Sequence, residues 1–217
     1  MNAFPSRAAF RAGLFALGVF IVTGCASSLL PKPAHEPTLF VLDDTTPSAA
    51  DTTSAAPPKP GARTLIVDTP RAAAGFDSVH MVYQRRPNER EYFALNQWVD
   101  SPARMLAPLM VRAIQRTGAF RAVLDGSTSA SADLRVSSEI VRLQQDFSVA
   151  PSRVRLTLRV VVVDSATRQV VATREFDATL PAASDDPRGG VDAANRLVAA
   201  VLAQVASFCI DAGSPPR

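Results

Sequence analysis

Apolar and polar residues alternate most regularly in the C-terminal third of the chain. Residues 153–162 carry Val or Leu at every second position, with arginine or threonine between most of them. After a polar turn, residues 170–180 resume the alternation. This pattern predicts strands with one buried and one solvated face. We therefore expect a long antiparallel hairpin in which arginines of the first strand face Glu175 and Asp177 of the second.

Two segments repeat apolar residues at helical spacing. The first follows Ser101-Pro102, an N-cap residue and a proline suited to the first helical position, and Gly118 is expected to end it as the C′ residue. Pro108 lies inside this pattern and would kink the helix or shift its start. The second helix is expected from about Val191 to Ile210, with one broad apolar stripe. The stripe consists of Ala194, Leu197, Val198, Val201, Leu202, Val205, Phe208 and Cys209.

Shorter apolar runs predict the remaining strands. They cover residues 38–42, 64–67, 78–85, 91–95, 120–124 and 132–143. Pro87 and Asn88 predict a turn that joins the third and fourth of these runs into a hairpin. A change of apolar register at Ile140-Val141 predicts a bulge. The order of strands, helix, strands, helix predicts an α+β domain, with two main helices packed on one face of an antiparallel sheet.

The first 25 residues have the three parts of an export signal. Arg7 and Arg11 form the positive part, residues 12–22 form an uncharged apolar run, and Val22-Thr23-Gly24-Cys25 looks like a bacterial lipobox. The run is shorter than the roughly 20 residues that span a bilayer. We expect cleavage before Cys25 and acylation of that cysteine, with palmitate-type chains. The alternative is an ordinary signal followed by a chance cysteine.

Composition predicts the organisation of the whole chain. Residues 1–24 form the signal peptide, and residues 25–37 form a lipidated cysteine with a Pro-rich tether. Residues 38–212 form a single α+β domain. Within it, residues 43–62 are of low complexity and are expected to be a mobile loop. Residues 213–217 are expected to be a frayed tail.

The charge of the chain argues against nucleic-acid binding, and its cysteine content bears on Cys209. The chain has 23 Lys and Arg residues and 20 Asp and Glu residues. Arg7 and Arg11 would be removed with the signal peptide, so the mature chain would have 21 basic and 20 acidic residues. Such a balanced chain lacks the clustered positive charge of a nucleic-acid binder. Once Cys25 is acylated, Cys209 is either buried or paired between chains. Its place on the apolar stripe favours burial.

The sequence lacks the motifs that carry catalysis. It has no GxxxxGK[ST], no GxSxG and no HExxH, and its two histidines are His35 and His80. We therefore predict no catalytic residue, no metal site and no cofactor, and we do not expect an enzyme. An exported hydrolase whose site is assembled only by folding stays open as an alternative class.

Three large aromatic residues are close in sequence around the predicted hairpin. Tyr83, Tyr92 and Trp98 are the candidate partner-binding residues, because exposed aromatic side chains often anchor protein contacts. The other interpretation is packing between the sheet and the first helix. It is favoured for Trp98, since large aromatic residues are highly buried on average.

The same region carries a family pattern. A strand ends in Tyr83 and Arg85, an aromatic strand reaches Trp98, a Pro-initiated helix follows, and the strand Phe120-Arg121-Ala122-Val123 comes next. Together with the lipobox, this pattern resembles the ABC-type transport auxiliary lipoprotein family, the paraquat-inducible protein C-like lipoproteins.

The resemblance implies an auxiliary subunit that works by binding. Its partners would be a mammalian-cell-entry (MCE) domain protein and an ABC permease with its ATPase, which together move lipids or hydrophobic compounds between membranes. Ala26, a residue other than Asp after the lipidated cysteine, implies an outer-membrane anchor facing the periplasm. A symmetric homo-oligomer would suit a channel-like partner. The alternative is a structural or assembly lipoprotein that binds an outer-membrane protein or the cell wall.

We expect Cys25→Ser to abolish acylation and stable membrane attachment, since two or more acyl chains are needed to hold a protein firmly to a bilayer. Mass spectrometry of the purified protein and fractionation of the cells measure the two effects. An unmodified, full-length N-terminus in the wild-type protein would contradict the prediction.

Overall fold

The computed structural model describes residues 36–43 and 62–214. The predicted signal, Cys25, most of the tether, the low-complexity loop and the last three residues lie outside the described residues. The described residues form nine strands and two helices. In chain order these are β1 Thr38–Phe40, β2 Thr64–Val67, β3 Arg71–Ala72, β4 His80–Gln84, β5 Glu91–Trp98, α1 Pro102–Gln115, β6 Ala122–Asp125, β7 Leu134–Asp146, β8 Arg153–Asp164, β9 Val170–Pro181 and α2 Pro187–Gly213.

All nine strands belong to one sheet, which is built around β7. One side of β7 pairs with β8, which in turn pairs with β9. The other side of β7 pairs with β2, then β3, then β4 along its length. β6 lies outside β2, and β5 and β1 lie outside β4. The predicted α+β class with two helices is confirmed.

The antiparallel pairings agree with the sequence pattern. β4 and β5 form the predicted hairpin, and β8 and β9 form the long one. The expected charge pairing is confirmed, because Arg155 Nε donates to Asp177 Oδ1 over 2.9 Å and Arg159 Nη2 donates to Glu175 Oε2 over 3.0 Å. A register shift between Ile140 and Arg142 confirms the bulge in β7.

Several shorter pairings are parallel, which the sequence pattern did not indicate. β2 pairs in parallel with β6 and β7, and β1 pairs in parallel with β5. Parallel neighbours need a crossover connection rather than a tight turn, and α1 lies within the connection from β2 to β6. The sheet is therefore mixed, with the antiparallel hairpins contributing most of its length.

α1 begins and ends close to the expected residues. Ser101 is its N-cap residue, although its side chain makes no capping hydrogen bond, and Pro102 opens the helix. Pro108 lies inside the continuous helix, on its exposed side. Gly118 lies two residues beyond the C-cap Arg116, one later than predicted, with a φ of 63° that suits glycine.

α2 begins at Pro187, earlier than the predicted Val191, directly after its N-cap residue Asp186. Asp186 Oδ1 accepts a hydrogen bond from the Gly189 backbone N–H over 2.7 Å and caps the helix. Gly189 and Gly190 precede the expected start at Val191, whereas in the structure they belong to the first turn. A Cβ on Gly190 would lie 2.2 Å from Gln145 Oε1 of β7, so a larger residue there would have to displace the Gln145 side chain.

The apolar stripe of α2 is buried as expected. Val201, Val205 and Cys209 have no exposed surface, and Phe208 is half-buried with its ring 5.9 Å from that of Phe176 on β9. By length and composition α2 could also cross a membrane, but 61% of its apolar window is buried in the domain, as in a core helix.

Cys209 is a free, fully buried thiol, which confirms the burial prediction. Burial raises the pKa of this thiol to about 12, because the apolar surroundings disfavour the thiolate. The thiol is therefore protonated and shielded from reagents at neutral pH.

We expect Val201→Asp to unfold the domain, because an unpaired buried charge costs several kcal/mol out of a typical total of about 5–15 kcal/mol. Ala200→Asp is the matched control, since Ala200 is the preceding residue and is exposed. Thermal melts followed by circular dichroism compare the two variants. A wild-type melt for Val201→Asp would show that the stripe does not support the fold.

Candidate partner-binding surface

The hairpin of β4 and β5 positions the aromatic residues that the sequence singled out. Its connection includes Pro87 and Asn88, and Asn88 takes a left-handed φ of 65°. Asparagine tolerates this conformation better than most residues. Tyr83 is paired with Glu91 across the strands, so their side chains share one face of the hairpin.

Tyr83, Arg85 and Glu91 form a closed hydrogen-bond network on that face. Arg85 Nε donates to Glu91 Oε1 over 2.8 Å, and Tyr83 Oη donates to Glu91 Oε2 over 2.9 Å. Arg85 Nη2 donates to Tyr83 Oη over 3.2 Å and also contacts Glu91. The guanidinium carbon lies 5.4 Å from the centre of the Tyr83 ring. The network orders an arginine and a tyrosine at the surface.

The network also sets the protonation of its members. Hydrogen bonds from Arg85 and then Tyr83 lower the pKa of Glu91 to about 2. The hydrogen bond to Glu91 raises the pKa of Arg85 and is also the main cause of the raised pKa of Tyr83. Glu91 is therefore ionised, and Arg85 and Tyr83 are protonated, throughout the physiological pH range.

Tyr83 belongs to an aromatic cluster with Phe93 and Phe147. The Tyr83 ring centre lies 4.5 Å from that of Phe93 and 5.8 Å from that of Phe147. Phe147 directly follows β7, and its backbone N–H donates to Gln84 O over 2.8 Å. Sequence reasoning missed Phe147, because only the parallel pairing of β4 with β7 brings it to the hairpin. The predicted strand ended at residue 143, so no local signal placed Phe147 at the hairpin.

The three predicted partner-binding residues do not share one surface. Tyr83 is half-buried in the aromatic cluster. Tyr92 is 48% exposed, and its ring lies 5.2 Å from that of His80, which is exposed at the start of β4. Trp98 is only 5% exposed and belongs to the hydrophobic core, as the packing interpretation expected. Tyr83 and Tyr92 are therefore accessible on the hairpin, whereas Trp98 packs beneath it in the core.

A small cavity lies behind the hairpin. Its volume is about 20 Å³, and its lining includes Phe93, Trp98, Gln145 and Gly190. The Gln145 amide nitrogen donates to Ser152 Oγ over 3.0 Å, while Oε1 accepts no hydrogen bond from the described residues. The volume suits about one water molecule, so a lipid chain does not fit.

The described residues contain no group of three or more His, Cys, Asp or Glu side chains that could hold a metal ion. The acidic pair before α2 has structural contacts. Asp186 caps α2, and Asp185 Oδ1 accepts from the Ser152 backbone N–H over 2.7 Å. The hairpin therefore carries an ordered group of aromatic and arginine side chains at the edge of the aromatic cluster.

The family model for the ABC-type transport auxiliary lipoprotein component matches residues 40–206, and the chain belongs to this family. The match confirms the family that the sequence pattern of the hairpin and the first helix predicted. No curated protein matches the sequence.

Solved structures agree on the fold. The protein XCC0632 from Xanthomonas campestris is 21% identical, with a TM-score of 0.67 over 81% of this chain and 96% of that one. A second, uncharacterised protein is 14% identical, with a TM-score of 0.60 over 82% of this chain and 99% of that one. At these identities the similarity shows a shared fold.

We expect the Glu91 carboxyl to titrate near pH 2 in an NMR titration of carboxyl carbons. Its folded-state pKa is depressed, so the contribution of the network to stability is present above the ordinary glutamate range and is lost as the pH falls toward 2. Arg85→Gln should return the midpoint toward 4.5, because Arg85 is the largest cause of the shift.

Arg86→Gln is the control, because Arg86 is the smallest of the causes and should leave most of the shift in place. Equal midpoints in the two variants would show that the Arg85 contact does not form in solution.

Proposed function

We propose that this protein is an outer-membrane-anchored auxiliary lipoprotein subunit of an MCE-type ABC transport system, which moves lipids or hydrophobic compounds between membranes. The family match over residues 40–206 supports the transport role. The lipobox at Cys25 supports the anchor. In this proposal residues 1–24 are removed, residues 25–37 tether the domain, and the domain faces the periplasm.

The protein would work by binding and not by turnover. The cavity behind the hairpin is too small to carry a lipid chain. The hairpin presents aromatic and arginine side chains, which are the types that dominate the energetics of protein interfaces. These side chains favour a docking subunit, whose partner would provide the passage for lipid.

Tyr83 and Arg85 are the proposed centre of the contact with the MCE protein. The side chain of Arg85 is 62% exposed, yet Glu91 and the Tyr83 ring hold it in one orientation. An arginine held in place before binding loses less conformational entropy when the partner docks. Tyr92 lies on the other face of the hairpin and would contribute to a contact that wraps around its edge. A symmetric homo-oligomer would repeat this surface around a channel-like partner.

The test mixes the compact unit Pro37–Arg217 with the periplasmic part of the MCE protein encoded beside it. We expect a complex in light scattering, and we expect Arg85→Ala to weaken the dissociation constant roughly tenfold, or about 1.4 kcal/mol. Tyr92→Ala tests the other face in the same assay.

Arg174→Ala is the matched control. Arg174 is also an exposed arginine over an aromatic ring, 4.9 Å from the centre of Phe176, but it lies on β9. Absence of any complex at about 50 µM, where a partner of micromolar affinity would be bound, counts against the transport role. Capture of an outer-membrane barrel or of peptidoglycan would instead favour the assembly role.

A further inference from the structure

Four aliphatic side chains are exposed together at one edge of the sheet. They are Leu39 of β1, Val41 just after it, Leu95 of β5 and Val99 just after that strand, and each is between 50% and 57% exposed. We call these four residues the edge patch. Large apolar side chains in one place indicate an interaction site more strongly than the same residues scattered singly.

The strand register brings the two strands of the patch together, with the half-buried Gln97 lying beside Leu39 and between Leu95 and Val99. β1 pairs in parallel with β5, with Leu39 beside Gln97 and Phe40 beside Trp98. The Val99 backbone N–H donates to Phe40 O over 2.8 Å, which continues the pairing to Val41 and Val99. Phe40 and Trp98 point into the core, so their neighbours along each strand point to the opposite face.

The chemistry of the patch differs from that of the hairpin network. Its members are Leu and Val, which are under-represented among the residues that dominate protein interfaces. Tyr, Trp and Arg, the usual anchors, are absent from it. Aliphatic side chains without hydrogen-bonding groups suit the acyl boundary of a lipid surface, where burial needs no polar partner.

The position of the patch also favours contact with a lipid surface. β1 is the first strand, and Leu39 comes only two residues after Pro37. The 12 residues from 26 to 37 span at most about 43 Å when fully extended. If Cys25 is acylated, the lipid surface is therefore always within reach, and a weak contact is favoured by the high effective concentration.

We propose that the edge patch rests on the lipid surface that holds the acylated Cys25. The proposal depends on the anchor in the proposed function. The contact would fix the orientation of the domain on the membrane, and the tether alone would not do so. The Tyr83–Arg85–Glu91 network lies where β5 begins, and most of the patch lies beyond the middle of β5, so the two surfaces are separate.

The test uses the full acylated chain in vesicles of phosphatidylethanolamine and phosphatidylglycerol. A fluorophore is attached at Leu95→Cys, and the control carries it at Val170→Cys. Val170 is an exposed valine at the start of the distant edge strand β9. Cys25 is blocked by its lipid and Cys209 is buried, so each variant has one reactive thiol.

We expect nitroxide-bearing lipids to quench the fluorophore at residue 95 roughly threefold more strongly than at residue 170, because apolar groups at an interface enter about 5–10 Å into the bilayer. Equal quenching of a protein that floats with the vesicles would overturn this proposal alone. Failure to float would overturn the anchor as well.

Two further results would assign the patch to a different occupant and overturn the proposal. A signal at residue 95 that changes with protein concentration would indicate a second copy of the chain. A signal that changes only when the MCE protein is added would indicate that partner.

Discussion

The packing of α2 against the long strands is the interaction on which the rest of the domain depends. Its stripe from Leu197 to Cys209 is buried in one core together with the inward residues of β7 and β8. Burial of apolar area is the dominant favourable term in folding, and no other helix of the described residues is as long. The outward face of the same strands carries paired charges, so the sheet has one core face and one solvated face there.

The first turn of α2 shows how closely this packing is set. Gly190 lets the helix approach Gln145 of β7, and Gly189 lets it approach the backbone of Ser184. Asp186 caps the helix at the same place, and Asp185 accepts a hydrogen bond from the Ser152 backbone N–H directly before β8. At this end of the domain, α2, β7 and the connection before β8 are therefore held in place by contacts with one another.

β7 connects the core to the candidate surface through its strand pairing. It pairs with β8 over its full length and with β4 at its C-terminal end. The pairing with β4 brings Phe147 to Tyr83 and gives the hairpin an aromatic base. Hydrogen bonds then hold Arg85 and Glu91 above that base. A surface ion pair alone contributes little to stability, so the value of this network lies in orienting the arginine.

The sequence by itself determined the features that depend on local periodicity or a short motif. These include both hairpins, the charge pairs of β8 and β9, the bulge after Ile140, both helical stripes and the family pattern. Only the tertiary structure decided which distant strands pair in parallel, since no short turn encodes that choice. It also decided that Phe147 joins Tyr83 and that Gly190 packs against Gln145 of β7. Each of these depends on contacts between residues far apart in the chain, which a local pattern does not record.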